Sequence, residues 1–247
     1  VLVVAQFALA VTVVSGAGLM GRSFVRLQAV DVGFDAGGVV RFAVRLPTGR
    51  FDQAGREDFL ERLGAEVETI PGVEAFGATT AGPFSPMRPS NFVARSDAEP
   101  GRQEDFQPVS WRAVSGDFFA AAGIPLLSGR VFDARDRRGT GGNVENPPVI
   151  IDRALAEVLF PGQDPIGRLV TWFLPGGQQC EIVGVVATAR DERIDVTPRP
   201  RIYRPFTYTY WDQPDVLVRV AGDPAAAIPA LGRGSVGSRH RSDDRVR

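Results

Sequence analysis

The chain opens with a long run of uncharged, mostly apolar residues, from Val1 to Gly21. At a rise of about 1.5 Å per residue, a helix of this length spans about 30 Å, the thickness of the hydrocarbon core of a bilayer. The run therefore predicts a transmembrane helix. Apolar residues at Phe24, Leu27 and Val30 keep helical spacing beyond it, so we expect residues 1–30 to form this helix and a short stalk.

Two other interpretations of this run are weaker. A cleaved signal peptide has a basic start and an apolar core of about 7 to 15 residues, and neither fits the run. Gly16–Gly21 matches the G-x-G-x-x-G turn of dinucleotide-binding folds, but no short strand precedes it, and Asp31 and Asp35 follow too soon. Within the run, small residues recur at four-residue spacing at Ala8, Thr12 and Gly16. This spacing is typical of faces on which two helices pack, but small residues are equally common in membrane helices without such a partner.

After a glycine-rich linker, the pattern predicts a β-α-β unit. Alternating apolar positions indicate a strand over residues 39–46, and an apolar stripe indicates a helix over residues 52–69. Asp52 is a suitable N-cap, Pro71 ends the helix, and residues 73–80 form the second strand. We expect the helix to pack across these two strands as a pair.

The middle and end of the chain predict shorter elements. A loop rich in Pro, Ser and Arg covers residues 83–103, with a short strand over 91–95. Further strands are expected over residues 106–114, 148–151, 169–174, 181–188 and 216–221, and short helices over 115–123 and 152–160. A helix start at Asp223 indicates a second β-α-β unit that begins and does not finish. Such a unit leaves an unpaired strand edge, so we expect aggregation.

Composition and charge exclude several classes of protein. Arginine supplies all 28 basic residues against 29 acids, so the net charge of −1 provides no field for a general polyanion binder. Residues 232–247 hold five Arg and two Asp with almost nothing apolar, which predicts a disordered or aberrant tail. One short basic tail without aromatic residues is a weak signal for nucleic acid, and we expect no nucleic-acid partner.

Candidate catalytic and binding residues are few. A single cysteine, Cys180, and a single histidine, His240, exclude a disulfide framework, a Cys/His zinc site and a Ser-His-Asp hydrolase. Gly139–Gly142 lacks the lysine of a phosphate-binding loop. Two carboxylate pairs are interpreted as solvated charge in a polar loop and on the outer face of a helix: Asp133 with Asp136, and Glu57 with Glu61. We therefore predict no catalytic, cofactor-binding or metal-binding residue.

The aromatic residues of the second half have two interpretations. They are expected mainly as core or rim anchors, and an exposed patch for a protein partner is the alternative. These residues are Trp111, Trp172, Trp211, Tyr203, Tyr208 and Tyr210.

Several short motifs occur in a characteristic order behind the predicted membrane helix. They are Gly18–Phe24 with Val32–Phe34, Ile70–Glu74, Val114–Phe119 with Gly123–Arg130, Asp164–Arg168, and Ile182–Val186 with Pro200–Pro205. In this order they resemble the MacB-like periplasmic core domain of FtsX-like ABC-transporter permeases, as found in the duplicated orphan permeases. The resemblance covers residues 1 to about 231.

The resemblance implies an α+β fold, with an N-terminal transmembrane helix followed by a two-lobed extracytoplasmic domain. In it a β-α-β repeat lobe holds an inserted mixed α+β lobe. The corresponding segments are 1–30 (transmembrane helix and stalk), 31–84 (first β-α-β part), 85–213 (inserted lobe), 214–231 (start of the second β-α-β unit) and 232–247 (tail). No catalytic residue transfers, because these motifs are turns and core positions.

The implied function is mechanical rather than enzymatic. A cytoplasmic ABC ATPase subunit would drive movement, which the helix and stalk carry to the outer domain for export or membrane release of a substrate. The implied partners are that ATPase, a second permease subunit or half, and membrane lipid, and the implied location is the plasma (inner) membrane, crossed once. The alternative is a membrane-anchored extracytoplasmic ligand-binding or sensor domain without an ATPase. After Leu231 the closing strand and further membrane helices of the family do not follow, so we expect a truncated or frame-shifted fragment.

Overall fold

The computed structural model describes most of the chain: residues 2–28, 37–47, 51–83, 85, 87, 89–97, 106–136, 145–173, 177–189, 198–209 and 211–231. Its helices are α1 (Leu2–Gln28), α2 (Gln53–Glu68), α3 (Phe118–Ala122) and α4 (Arg153–Leu159). Its strands are β1 (Val39–Ala43), β2 (Val73–Thr79), β3 (Ser90–Arg95), β4 (Gln107–Gly116), β5 (Leu126–Gly129), β6 (Pro148–Asp152), β7 (Leu169–Trp172), β8 (Gln178–Val186), β9 (Arg201–Pro205) and β10 (Asp215–Val220). Residues 224–231 are helical. The predicted tail, Gly139–Gly142, His240 and Tyr210 lie outside the described residues.

The N-terminal segment is the continuous helix α1, 27 residues long. Its described apolar side chains are exposed, as at Val4 (72%) and Met20 (78%). The helix expected over residues 1–30 is therefore present as far as Gln28. Within the described part of the chain, no helix combines the length and mean hydropathy needed to cross a membrane. The membrane span stays a prediction.

The predicted β-α-β unit forms, but its two strands are not neighbours. β10 lies between β1 and β2 and is antiparallel to both, with Val218 opposite Val40 on one side and Phe76 on the other. The expectation that α2 packs across a pair of adjacent strands is therefore wrong. Val216, Leu217 and Val218 are all fully buried, whereas β1 alternates between half-buried and exposed positions. The most apolar strand takes the centre because both of its faces are covered.

Helix α2 covers one face of this three-stranded arrangement. Asp52 caps it as predicted, since its carboxylate accepts a hydrogen bond of 2.7 Å from the Gly55 amide. Leu60, Leu63 and Val67 are buried in one core with residues of β2 and β10. We refer to β1, β2, β10 and α2 as the α/β part.

Six other strands form a closed circuit of backbone pairing. Around it the order is β4, β3, β7, β8, β6 and β9, and β9 pairs again with β4. The buried side chains of the strands inside this circuit are Val93, Val109, Val149, Ile151, Val170, Trp172, Cys180, Ile182, Val185 and Ile202. Leu155 and Leu159 of α4 belong to the same core. β5, a strand that the sequence pattern did not predict, pairs with residues 184–186 at the end of β8.

The expected unpaired edge lies elsewhere in the sheet. The strand predicted over residues 216–221 is β10, which is paired on both sides rather than left unfinished. Among the described residues, β1 pairs only with β10, and β5 pairs only with β8. Any edge-to-edge association of the described fold therefore involves β1 or β5.

Candidate functional site

The α/β part and the six-strand circuit share one strand, β4. Its first half pairs with β3, and Ser110 to Val114 pair with β9 inside the circuit. Its last residues, Val114 to Gly116, pair with Thr79 to Gly77 of β2. Backbone hydrogen bonds therefore run without interruption from one part of the fold to the other.

Helix α3 fills the corner beside this shared strand. Phe118 (1% exposed) and Phe119 (6%) lie at its start. The Phe119 ring contacts the ring of Tyr203 on β9, with centroids 5.0 Å apart. The same buried cluster contains Ala75 of β2 and Leu217 of β10. One short helix thus gives the two parts a common apolar core, which we call the junction.

Two paired glycines allow α3 to approach so closely. Gly77 on β2 lies opposite Gly116 on β4. A Cβ atom on Gly77 would clash with the Phe118 Cα and lie 2.7 Å from the Phe118 nitrogen. Gly116 has a φ of +62°, a left-handed conformation that favours glycine. The close contact is fixed by a 2.8 Å hydrogen bond from the Asp117 amide to the Phe76 carbonyl.

A buried carboxylate connects three elements of the circuit. Asp152 is 1% exposed, ends β6 and caps α4 as predicted: its carboxylate accepts a hydrogen bond of 2.9 Å from the Leu155 amide. The same carboxylate oxygen accepts a hydrogen bond of 3.0 Å from the Arg201 amide on β9. Burial raises the pKa of Asp152 from 3.8 to about 6, against the lowering effect of these hydrogen bonds and of the Arg201 charge.

The raised pKa predicts a pH-dependent stability that Asp152→Asn abolishes. Between about pH 4 and pH 6 the folded state holds a proton that the unfolded state has released, so the contribution of Asp152 to stability falls as pH rises. A shift of about two pKa units corresponds to about 3 kcal/mol. Urea denaturation of the wild type and of Asp152→Asn at pH 4 and pH 7 measures the effect. Relative to the wild type, the variant should gain about 2 kcal/mol between these pH values, less than the full shift because a free carboxyl is already half ionised at pH 4. Parallel profiles would contradict the assignment.

The carboxylates of the loop after β5 are held rather than solvated. Asp136 is buried, and its carboxylate accepts hydrogen bonds of 2.5 and 2.9 Å from the two terminal guanidinium nitrogens of Arg130. Asp133 is paired with Arg135, whose hydrogen bonds hold the pKa of Asp133 well below its usual range. The interpretation of Asp133 and Asp136 as solvated charge is therefore wrong for Asp136. Its role is to anchor the loop to Arg130.

The second carboxylate pair has one buried and one exposed member. Glu57 is 7% exposed, and the Ser115 hydroxyl of β4 lies 3.4 Å from its carboxylate, so it does not lie on an outer face. Glu61 is exposed, as predicted, on a shallow groove of about 340 Å³ between α2 and the start of α3. Glu57 is buried because β4 passes against α2, a contact that the helical pattern alone does not show.

The remaining motifs are structural in the described residues. Gly16, Gly18 and Gly21 lie inside α1, where a Cβ on any of them would meet nothing within 4 Å. Their motif is therefore helical and is not a turn after a strand. Cys180 is buried, which raises the pKa of its thiol to about 11. Within the described ranges, no three potential ligands come together as a metal site.

The aromatic residues divide between core and rim. Trp172 is buried inside the circuit and Tyr203 in the junction, as the first interpretation expects. Trp111 is half-buried and contacts both Trp172 and Trp211, with ring centroids 6.2 and 6.4 Å apart. Phe118 and Phe119 belong to one of the short family motifs, but the sequence pattern does not show that they join the two parts of the fold. Their local signal is an aromatic pair directly after Gly116 and Asp117.

The chain is similar to a known protein family and to solved structures. The model of one family, the MacB-like periplasmic core domain, matches residues 2–232. The periplasmic region of MacB from Actinobacillus actinomycetemcomitans is 12% identical, with a TM-score of 0.50 and coverage of 83% of this chain and 86% of that one. At this identity the likeness concerns the fold alone.

Two further solved structures are similar. The extracellular domain of the ABC-type transporter YknZ from Gram-positive bacteria is 19% identical, with a TM-score of 0.47 and coverage of 78% and 88%. A domain of a permease protein from Porphyromonas gingivalis is 19% identical, with a TM-score of 0.45 and coverage of 68% and 72%. No curated protein sequence matches the chain.

The family match extends over both the α/β part and the circuit, and it confirms the resemblance drawn from the short motifs. The mixed α+β fold agrees with it. The chain belongs to the family of MacB-like periplasmic core domains, which are parts of ABC-transporter permeases.

Proposed function

We propose that the chain is a non-catalytic, permease-type part of an ABC transporter, whose extracytoplasmic domain transmits ATP-driven motion for export or membrane release of a substrate. The observation that carries the proposal is the junction. Strand β4 and the aromatic core around α3 tie the two parts together by hydrogen bonds and by buried contacts. A domain tied in this way moves as a unit, so force applied to one part reaches the other.

The proposal includes a single membrane crossing by α1. Residues 2–21 carry no charge, and the described side chains from Val3 to Met20 include many exposed apolar groups. Hydrocarbon tails solvate such a surface, whereas water does so only at a cost in free energy. We assign residues 1–30 to this anchor and stalk, residues 31–84 and 214–231 to one lobe, and residues 85–213 to the other. The main domain then lies outside the plasma (inner) membrane.

Two protein partners follow from this proposal. A cytoplasmic ABC ATPase supplies the energy, because the chain has no lysine and therefore no phosphate-binding loop of its own. A second permease subunit or half is needed because one rigid body performs mechanical work only by moving against another.

The proposal predicts that ATP changes the distance between the extracytoplasmic domains of the two permease halves. Leu127 on β5 is 41% exposed while Cys180 is buried, so a spin label attaches selectively to a Leu127→Cys variant. In lipid nanodiscs with the ATPase and a labelled second half, addition of Mg-ATP should shift the label-to-label distance by more than about 5 Å. Double electron–electron resonance measures this distance.

A label at Val158→Cys on α4, where the side chain is 47% exposed, provides the matched position. It should shift in concert with the first label if the circuit moves as one body. An ATPase variant without its phosphate-loop lysine is the negative control. Unchanged distances at both positions while ATP is hydrolysed would refute the proposed function.

A further inference from the structure

Aromatic side chains surround the guanidinium group of Arg204 near the C-terminal end of β9. Its central carbon lies 5.6 Å from the ring centroid of Trp172 and 5.6 Å from that of Tyr208. Trp111 contacts Trp172 and also Trp211, which extends the aromatic surface outward. Arg204 itself is half-buried. A charged side chain is thus held at the rim of the circuit against two aromatic rings and partly out of solvent.

This cluster holds hydrogen-bond donors without acceptors. Among the described residues, neither the guanidinium of Arg204 nor the hydroxyl of Tyr208 makes a hydrogen bond or an ion pair. The indole Nε1 of Trp172 is sealed from solvent and also has no partner there. Arg204 is half-buried, and its nitrogens are not among the sealed, unpartnered atoms of the described chain, so the guanidinium keeps some contact with solvent.

Several other described arginines have a carboxylate partner. Arg41 pairs with Asp215 at 3.1 Å, Arg95 with Asp97 at 2.6 Å, and Arg130 with Asp136. Asp136 is also the carboxylate whose charge acts on Tyr208, and Arg130 already holds it in two hydrogen bonds. No described acid is therefore left to neutralise Arg204 within the cluster.

The electrostatics of the cluster agree with this geometry. Burial lowers the pKa of Arg204, because its positive charge loses hydration and no acid among the described residues compensates for it. Burial also raises the pKa of Tyr208, so its hydroxyl keeps the proton and remains a donor at neutral pH. A bound anion would give Arg204 a counter-charge and would give both Arg204 and Tyr208 a hydrogen-bond acceptor.

We propose that Arg204, with Tyr208 and Trp172 beside it, binds a carboxylate group. Guanidinium and carboxylate are both planar and form two parallel hydrogen bonds, so a carboxylate can bind in the plane of the guanidinium beside the two rings. Phosphate can form the same fork with arginine, but it carries further oxygens out of that plane and more charge to desolvate in a partly buried site. The ligand is a free carboxylic acid or an acidic side chain of a protein partner. The inference does not depend on the proposed transport function.

Intrinsic tryptophan fluorescence tests the proposal directly. The chain has three tryptophans, and they form one contact series that includes the Arg204 site. The full chain in non-ionic detergent is titrated with acetate, benzoate, inorganic phosphate, and a short peptide containing Gly-Asp-Gly or its Gly-Asn-Gly counterpart. The carboxylates should give a saturable change in emission, and phosphate and the Asn peptide should not.

Four variants locate the response. Arg204→Gln should weaken binding at least about tenfold, and Arg204→Lys should also weaken it because an ammonium lacks the planar fork. Tyr208→Phe should cause a smaller loss. Arg168→Gln is the matched control, because Arg168 also lies over an aromatic ring, that of Phe160 at 5.4 Å, but donates to the Asp164 carbonyl. Circular dichroism checks folding, and Arg204→Lys carries the test if Arg204→Gln does not fold.

Each outcome bears on the proposal. Binding of the free acids supports it and assigns the site to small carboxylates, whereas binding of the Asp peptide alone supports it and assigns the site to a protein partner. The absence of a saturable response in the wild type overturns the proposal. So does equal binding by Arg204→Gln and the wild type, or binding of phosphate as tight as that of carboxylates.

Discussion

Phe118→Ala should lower the free energy of unfolding by about 4 kcal/mol, the largest effect that we expect from a single truncation in this chain. Phe118 is 1% exposed and packs against Phe119 and Tyr203, in a cluster that includes residues of both the α/β part and the circuit. Removing the ring leaves a cavity at the junction. Urea denaturation measures the loss.

The same variant should also separate the unfolding of the two parts. Trp211 packs on the core of the α/β part, so the experiment uses a Trp211→Phe background, in which the fluorescence of Trp111 and Trp172 reports mainly on the circuit. Far-ultraviolet circular dichroism includes α2 of the α/β part. We expect the two transitions to coincide in the wild type and to diverge in Phe118→Ala. Phe173→Ala provides the control, because Phe173 is 51% exposed and its removal should cost less than about 1 kcal/mol. Equal effects of both variants would show that the junction is not a shared core.

Gly77→Ala should destabilise the chain by about 3 kcal/mol, although it adds only one methyl group. The added carbon would overlap the backbone of Phe118, so α3 must move away from β2 to admit it. That movement also breaks the hydrogen bond from the Asp117 amide to the Phe76 carbonyl. Thermal or urea unfolding of the variant gives the size of the effect.

Gly64→Ala is the matched substitution. Its Cβ would lie 2.8 Å from the buried ring of Phe76, a side chain that must shift, whereas the Cβ of Gly77→Ala meets backbone atoms; alanine also favours the interior of α2 by about 1 kcal/mol over glycine. The net cost of Gly64→Ala should therefore be clearly lower than that of Gly77→Ala. If Gly64→Ala proved as harmful as Gly77→Ala, crowding at β2 in general, and not the approach of α3, would be the cause.

Local features of the fold could be predicted from the sequence. Asp52 and Asp152 cap α2 and α4 as expected, because an N-cap depends only on the residues within one turn. The strand boundaries 39–46 and 106–114 are close to the observed β1 and β4 for a similar reason. The family was recognised from turns and buried motifs, which are local features too.

Long-range pairing could not be predicted in the same way. The position of β10 between β1 and β2 joins residues about 140 to 180 apart, and the closure of the circuit joins β4 to β9. Glu57 was misplaced because its burial depends on β4 and not on the helix that carries it. Arg204 gave no signal in the sequence, since its surroundings come from three separate strands and the turn after β9. Such sites are defined only once the sheet has assembled.

The pairing of β1 with β10 sets an order of assembly during synthesis. Val39 leaves the ribosome long before its partner Arg219, and at about 5 to 20 residues per second the delay is roughly 10 to 40 s. The six circuit strands are all synthesised before β10, the strand that lies between β1 and β2. Until β10 emerges, nascent β1 lacks its strand partner and β2 lacks one of its two, so a chaperone that covers exposed strand edges has most to protect during this interval.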